Sequence, residues 1–294
     1  MPEPENSASP EGGTPAGGLG PRWKLGIILI AVLFVVMPFL FWRATWFGIP
    51  LSDTQIDENL ADAEHPRKAQ HALTQISERM LRGDNGVRRW YPQVMALGKS
   101  QNDELRLTAA WVMGQDNTSA EFHAALLPML SDANPMVRHN AALSLVRFGD
   151  ASGRADIVAM LRPYALAAPQ VGTLAQRLKL DDAVNPGTLV ARIKYKAPGD
   201  PQEQELEVRS KVSGRIERWI VADGSSVAAG EEIVSIAPSQ EMVWEALRAL
   251  YLIGQPEDLP DVERYTRPSE GMPSQISAQA SLTAQKIRER NPAP

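Results

Sequence analysis

Between Val208 and Pro238 the chain reads VRSKVSGRIERWIVADGSSVAAGEEIVSIAP. Gly214, Gly224 and Gly230 punctuate this run, with Ile216, Trp219, Val221, Val227, Ile233 and Ile236 between them. Glycine allows turns with positive φ at no Cβ penalty, and alternating branched residues give each strand one buried face. The segment is therefore restricted to short, tightly turned strands. Strands are expected over Thr188 to Lys196, Gln204 to Val212, Arg215 to Ala222 and Glu232 to Ala237. Pro198-Gly199-Asp200-Pro201 turns the first into the second, and Asp223-Gly224 makes another tight turn. A β-module is thus expected over residues 187–238. Trp219 shares a strand face with Val221 and reads as a core residue.

This run resembles the β-hammerhead half-motif of biotinyl and lipoyl domains and of bacterial membrane-fusion adaptors. The resemblance implies a small barrel-sandwich module. In the carrier members, the hairpin tip after the strand ending near Ile236 bears the lysine that takes the prosthetic group. Here that place reads Ala237-Pro238-Ser239-Gln240-Glu241, without lysine, and Lys211 precedes Gly214 on the other side of the hairpin. No cofactor is expected, and a biotin or lipoate carrier stands only as the alternative reading. A complete domain of this kind has two half-motifs. Only the second is legible, so Thr188 to Lys196 stands in for much of the first, or another chain completes the barrel.

Upstream, residues 66–180 change to helix-length segments with short polar breaks. Asn102 opens a helix running to Gly114, and Asn134 opens another running to Gly149, thirty-two residues later. Each begins with a capping residue and ends with a glycine suited to a C-cap. Pro135 sits at the first helical position, where its missing N–H costs nothing. Ala120 to Leu130 and Arg154 to Leu161 supply the second helices, and Ala69 to Met80 with Val87 to Leu97 form a weaker preceding unit. Helix pairs recurring at this interval mark an α-solenoid. The string Asp132-Ala133-Asn134-Pro135-Met136-Val137-Arg138 resembles the short bacterial HEAT-like repeat. Lyases on similar scaffolds transfer no catalytic residue to this chain.

Residues 241–265 read like Met136 to Gly149 followed by a second helix. Two arrangements stand. Either the β-module is inserted between repeats of one solenoid, or this helix packs on a module appended to the end. The fold class is α+β in several parts. Residues 266–294, with only Ile276, Leu282 and Ile287 large and apolar in a helix-compatible stretch, are expected to be mostly disordered.

Residues 1–21 are rich in Pro, Gly, Ser and Glu and are expected to be a disordered leader. Leu25 to Trp42 then runs without a charge, a length of roughly 27 Å as a helix. Trp23, Trp42 and Trp46 flank it as interfacial aromatics do. A transmembrane helix is expected within residues 25–46. Arg22 and Lys24 precede it against Arg43 after it, which orients the N-terminus to the cytoplasm and the bulk of the chain outside, in a periplasm if the cell has one.

The net charge of −5, without a long basic stretch, disfavours nucleic acid as a partner. No cysteine exists, so disulfide scaffolds, thiolate zinc sites and cysteine nucleophiles are excluded. His65, His71, His123 and His139 lack metal-ligand spacing, and no P-loop, nucleophile elbow or dinucleotide fingerprint is present. Asp181-Asp182 and Glu231-Glu232 are merely adjacent. No catalytic, cofactor-binding or metal residue is assigned. The expected function is a membrane-anchored, non-catalytic scaffold or adaptor of the cell envelope, with envelope or transport-complex subunits as partners.

Overall fold

Helix starts in the first half are set by side-chain caps. Ser52, Asn102, Ser119 and Asn134 each accept a backbone N–H from the first turn, satisfying donors that a helix start leaves open. They open α1 (Asp53–Ala61), α4 (Asp103–Met113), α5 (Ala120–Leu126) and α6 (Pro135–Arg147). Three more helices, α2 (Pro66–Leu81), α3 (Tyr91–Leu97) and α7 (Arg154–Ala159), complete this half. The computed structural model describes residues 50–62, 64–196, 202–267 and 272–291, together with Ile30, Phe34, Val36 and Met37. The leader 1–21 and the expected membrane helix within 25–46 lie outside the described residues apart from those isolated positions. Among the described residues, no helix is long and apolar enough to cross a membrane.

The helices pair at the spacing the caps imply. Arg106 and Arg138, each four residues past its N-cap, donate at 2.8 Å to the carbonyls of Ser100 and Asp132. Each also reaches one helix further, Arg106 to Asp132 at 2.7 Å and Arg138 to Asp156 at 3.0 Å. The first helices of successive pairs stack as a row, α2 on α4 and α4 on α6. Beneath them lies one core containing Ile56, Leu73, Trp90, Val94, Met113, Phe122, Leu126 and Leu145.

The helical part ends at Met160, not at residue 180. A strand, β1 (Tyr164–Ala167), follows at once, then β2 (Gly172–Gln176), β3 (Ala183–Val184), β4 (Leu189–Lys196), β5 (Glu203–Arg209), β6 (Gly214–Trp219), β7 (Ser226–Val227) and β8 (Glu232–Pro238). They form two four-stranded antiparallel sheets, ordered β1-β8-β6-β3 and β5-β4-β2-β7. The halves β1–β4 and β5–β8 interchange under a pseudo-two-fold: β1 pairs with β8 as β5 pairs with β4, and β2 pairs with β7 as β6 pairs with β3. The strands that this pseudo-two-fold relates to β5–β8 are therefore supplied by residues of this chain from Tyr164 onward, not by Thr188 to Lys196 alone and not by another chain. Its strands escape pattern reading because they are two to five residues long and alanine-rich before β4. Leu174, Val190, Ile193, Ile216, Val227, Ile233 and Ile236 fill the space between the sheets. Gly224 and Gly230 take φ of 76° and 81° at turns where a side chain would be strained.

After Pro238 the chain does not make a hairpin. Ser239 caps α8 (Gln240–Ile253), accepting the N–H of Met242 at 3.2 Å. The place where a carrier lysine was sought is a helix start. Helix α8 packs against both α6 and α7, so Ala142, Val146, Ile157 and Leu161 share a core with Val243, Leu247, Leu250 and Ile253. A short helix, α9 (Leu259–Glu263), then lies beside the chain that leaves α7. Arg154 donates to both oxygens of Asp258 (2.8 and 2.9 Å), and Arg162 to both of Asp261 (3.0 and 2.7 Å). The Tyr265 hydroxyl donates to Leu161 O at 2.7 Å.

The tail corrects a further expectation. Residues 274–290 are not disordered but form α10 (Ser274–Arg290), with Ile276, Ala280, Thr283, Ala284 and Ile287 buried on α8. Small residues at Ala280 and Ala284 allow close packing, Thr283 Oγ1 donates to Leu247 O at 2.9 Å, and Arg290 caps α8 through the carbonyls of Leu250, Leu252 and Gly254. Counting large apolar residues on an isolated helix misses such a face.

Candidate protein-binding groove

The stacked helices α4, α6, α8 and α10 leave an open groove of about 790 Å³ across their outer face. Trp111, Leu143, Arg147, Arg248, Leu252 and Leu282 define it. Trp111 is 39% exposed, Leu252 59% and Leu282 49%. Exposed apolar groups brought together on neighbouring elements are candidates for a binding surface.

Their placement follows from the caps. The N-cap residues of the helices are Asn102, Asn134, Ser239 and Pro273. Nine residues past each cap stand Trp111, Leu143, Arg248 and Leu282. Four residues further, Gln115 just past the end of α4, Arg147 at the last position of α6 and Leu252 on α8 make a second row. In α8 the core stripe takes Val243, Ala246, Leu247 and Leu250, which leaves Leu252 outside it. Apolar residues nine positions past three of the four caps, Trp111, Leu143 and Leu282, are the signal by which the groove could be read.

Charge in the groove is sparse: Arg147, Arg248 and Glu245 line it, with the cations in excess. Arg147 donates to Gln115 Oε1 at 2.9 Å, and among the described residues no carboxylate pairs with it. Arg248 has Glu245 at 3.5 Å, one turn away on its own helix.

The residues weighed from sequence lie elsewhere. His65 bonds Asp62 at 2.9 Å and His123 bonds Asp150 at 2.7 Å. Glu231 accepts the N–H of Ala228 at 2.7 Å and closes a turn, while Asp182 accepts that of Lys179. Trp219 is half-buried against the β-core, its Nε1 donating to Leu178 O at 3.3 Å. Among the described residues no group of acidic or histidine side chains could hold a metal ion.

His139 is 5% exposed on α6, and its Nδ1 lacks a hydrogen bond. Burial, opposed by nearby Asp156, depresses its pKa from 6.5 to about 4. Between those values the unfolded chain binds the proton and the folded chain does not. Stability is thus full above about pH 6.5 and falls as pH drops toward 4, by about 2 kcal/mol at pH 5. In urea unfolding at pH 8 and pH 5, His139→Gln should lose less stability than wild type by that amount.

Residues 92–166 match the family model for HEAT repeats. Within those residues, α4 to α7 are similar to HEAT repeats. As a class these helix pairs build extended surfaces that bind other proteins. No curated protein matches the chain. Among solved structures it is similar to one described as "Structure and function of a single-chain, multi-domain long-chain acyl-coa carboxylase", at 16% identity and a TM-score of 0.23. That similarity covers 36% of this chain and 10% of the other, so this chain spans about a tenth of that structure's length.

Proposed function

We propose that this HEAT-repeat chain is a non-catalytic, membrane-anchored scaffold of the cell envelope that binds subunits of an envelope or transport complex. The observation that carries the reading is the groove over α4, α6, α8 and α10, which brings the exposed Trp111, Leu252 and Leu282 together on neighbouring helices. The anchor in this reading is the apolar run Leu25 to Trp42, with the helices and β-module outside the cytoplasm. Helices α8 and α9 then continue the repeats of α6 and α7, with the β-module inserted between them as a second surface.

A photo-crosslinking residue in place of Leu252, in the full chain in native membranes, tests this. Mass spectrometry should identify the same envelope or transport subunits in repeated captures, and Leu282→Glu should abolish them. Absence of any crosslinked protein from this position overturns the scaffold. Protection of the helical part from external protease in intact spheroplasts overturns the orientation.

A second reading, a carrier of a covalent group, is favoured by one observation. The pseudo-two-fold maps the end of β8 onto the end of β4, which does enter a hairpin and reads Lys194-Tyr195-Lys196. Lys196 is exposed at its last position. Intact mass of the protein purified from its own membranes decides this reading: an added mass that Lys196→Arg removes establishes the carrier, and an unmodified mass ends it.

A further inference from the structure

The groove has a periodicity that selects what can lie in it. We propose that its occupant is an extended segment of a partner protein with anchoring side chains at every third residue, apolar at three anchors and a carboxylate at the one facing Arg248. The inference rests on the scaffold reading and names the partner's chemistry.

The spacing argument is geometric. Adjacent packed helices stand about 8–10 Å apart, and an extended chain in the polyproline II conformation rises about 3.1 Å per residue and returns a side chain to the same face every third residue. Three residues of such a chain therefore match one helix-to-helix step. The row nine residues past the caps presents, in spatial order, Trp111, Leu143, Arg248 and Leu282, because α4, α6, α8 and α10 pack in that order. A complementary segment in this conformation reads apolar-x-x-apolar-x-x-acidic-x-x-apolar, in either chain direction.

Charge complementarity fixes the acidic slot. Among the described residues Arg248 pairs with Glu245, which also lines the groove, at 3.5 Å in an exposed pair within one helix, and Arg147 of the adjoining row brings a second guanidinium that no carboxylate meets among the described residues. A carboxylate arriving between them gains charge-assisted hydrogen bonds that a lysine would turn into repulsion. Leu252, beside Arg147 in the second row, covers the same stretch with apolar surface.

The test uses the purified full-length protein and fluorescein-labelled synthetic peptides with the pattern Leu-x-x-Leu-x-x-Asp-x-x-Leu, x being serine or glycine. A second peptide carries Lys for Asp, and both are also made in reversed order. The Asp peptide of one direction should bind at least about tenfold tighter than its Lys counterpart, the size of one charged hydrogen bond. Arg248→Glu should invert that preference with an unchanged unfolding midpoint. Peptides that do not bind, that bind equally, or whose order survives Arg248→Glu overturn the proposal. If crosslinking from position 252 still captures partners while the peptides fail, the scaffold stands and this partner chemistry falls.

Discussion

Gly114→Ala is expected to destabilise the helical array by about 3 kcal/mol, the scale of forcing a methyl group into a site without room. The glycine ends α4 with an ordinary φ of −67°, so the cost is not conformational. It comes from α6. A Cβ on Gly114 would sit 2.8 Å from Ser144 Cβ and 3.2 Å from Ser144 Cα. Those atoms lie next to the helix backbone and cannot swing away. Ser144 is also held by its buried hydroxyl, which donates to Ala110 O at 2.9 Å. Helices α4 and α6 would have to part, moving Trp111 away from Leu143 and weakening binding in the groove along with stability. Urea unfolding followed by tryptophan fluorescence reads the first effect. Adding Ser144→Gly removes the blocking atoms and should recover about half of the loss, less the hydrogen bond it forfeits. A Gly114→Ala protein as stable as wild type would show that the close approach of these helices is not obligatory.

Asp258→Ala should cost a similar amount, about 3 kcal/mol, through a different cause. The carboxylate side chain is 7% exposed and receives two bonds from Arg154 and one from the N–H of Gln255 at 2.8 Å. Truncation leaves a partly buried guanidinium with only the exposed Glu257 at 3.7 Å, among the described residues, and a helix-start N–H without its acceptor. Arg162→Ala provides the contrast. Its hydrogen bonds hold the Asp261 carboxyl below the usual carboxylate range, but Arg162 is 58% exposed and water replaces it at a cost below about 1 kcal/mol. Hydrogen exchange should localise the Asp258 effect, with amides of α8 to α10 losing protection while those of α2 to α4 keep theirs. Uniform loss across the helices would mean that the array is one cooperative unit and that the pair has no local role.

Particular residues explain what sequence reading reached. Asn102 and Asn134 announce their helices because a cap has few chemical alternatives, and both cap as expected. Gly149 adopts the positive φ of a helix terminator, whereas Gly114, read the same way, serves close approach instead. Both roles use the missing Cβ, and only the neighbouring helix distinguishes them. The second half-motif is legible from its glycines and branched residues. The first is not, because Tyr164-Ala165-Leu166-Ala167 becomes a strand only by pairing with β8. On an isolated helix Leu282 counts toward a weak apolar face, yet it is exposed on α10 while the small Ala280 and Ala284 are buried with Ile276 and Ile287. The groove stays hidden until four caps are aligned, since neither Trp111 nor Leu252 is unusual alone.

Placing the β-module between α7 and α8 changes how this chain can fold. An uninterrupted array grows by neighbour contacts of short sequence separation, but Arg154 and Asp258 are 104 residues apart. Closing a flexible loop of that length costs about 4 kcal/mol in chain entropy. Antiparallel pairing of β1 with β8 sets Tyr164 opposite Ile236, so a folded module delivers the start of α8 directly to the end of α7. The module is then a clasp that must shut before the last helices can dock. Folding of α8 to α10 should follow its kinetics, and damage to β1 or β8 should appear first as a slow, incomplete C-terminal half.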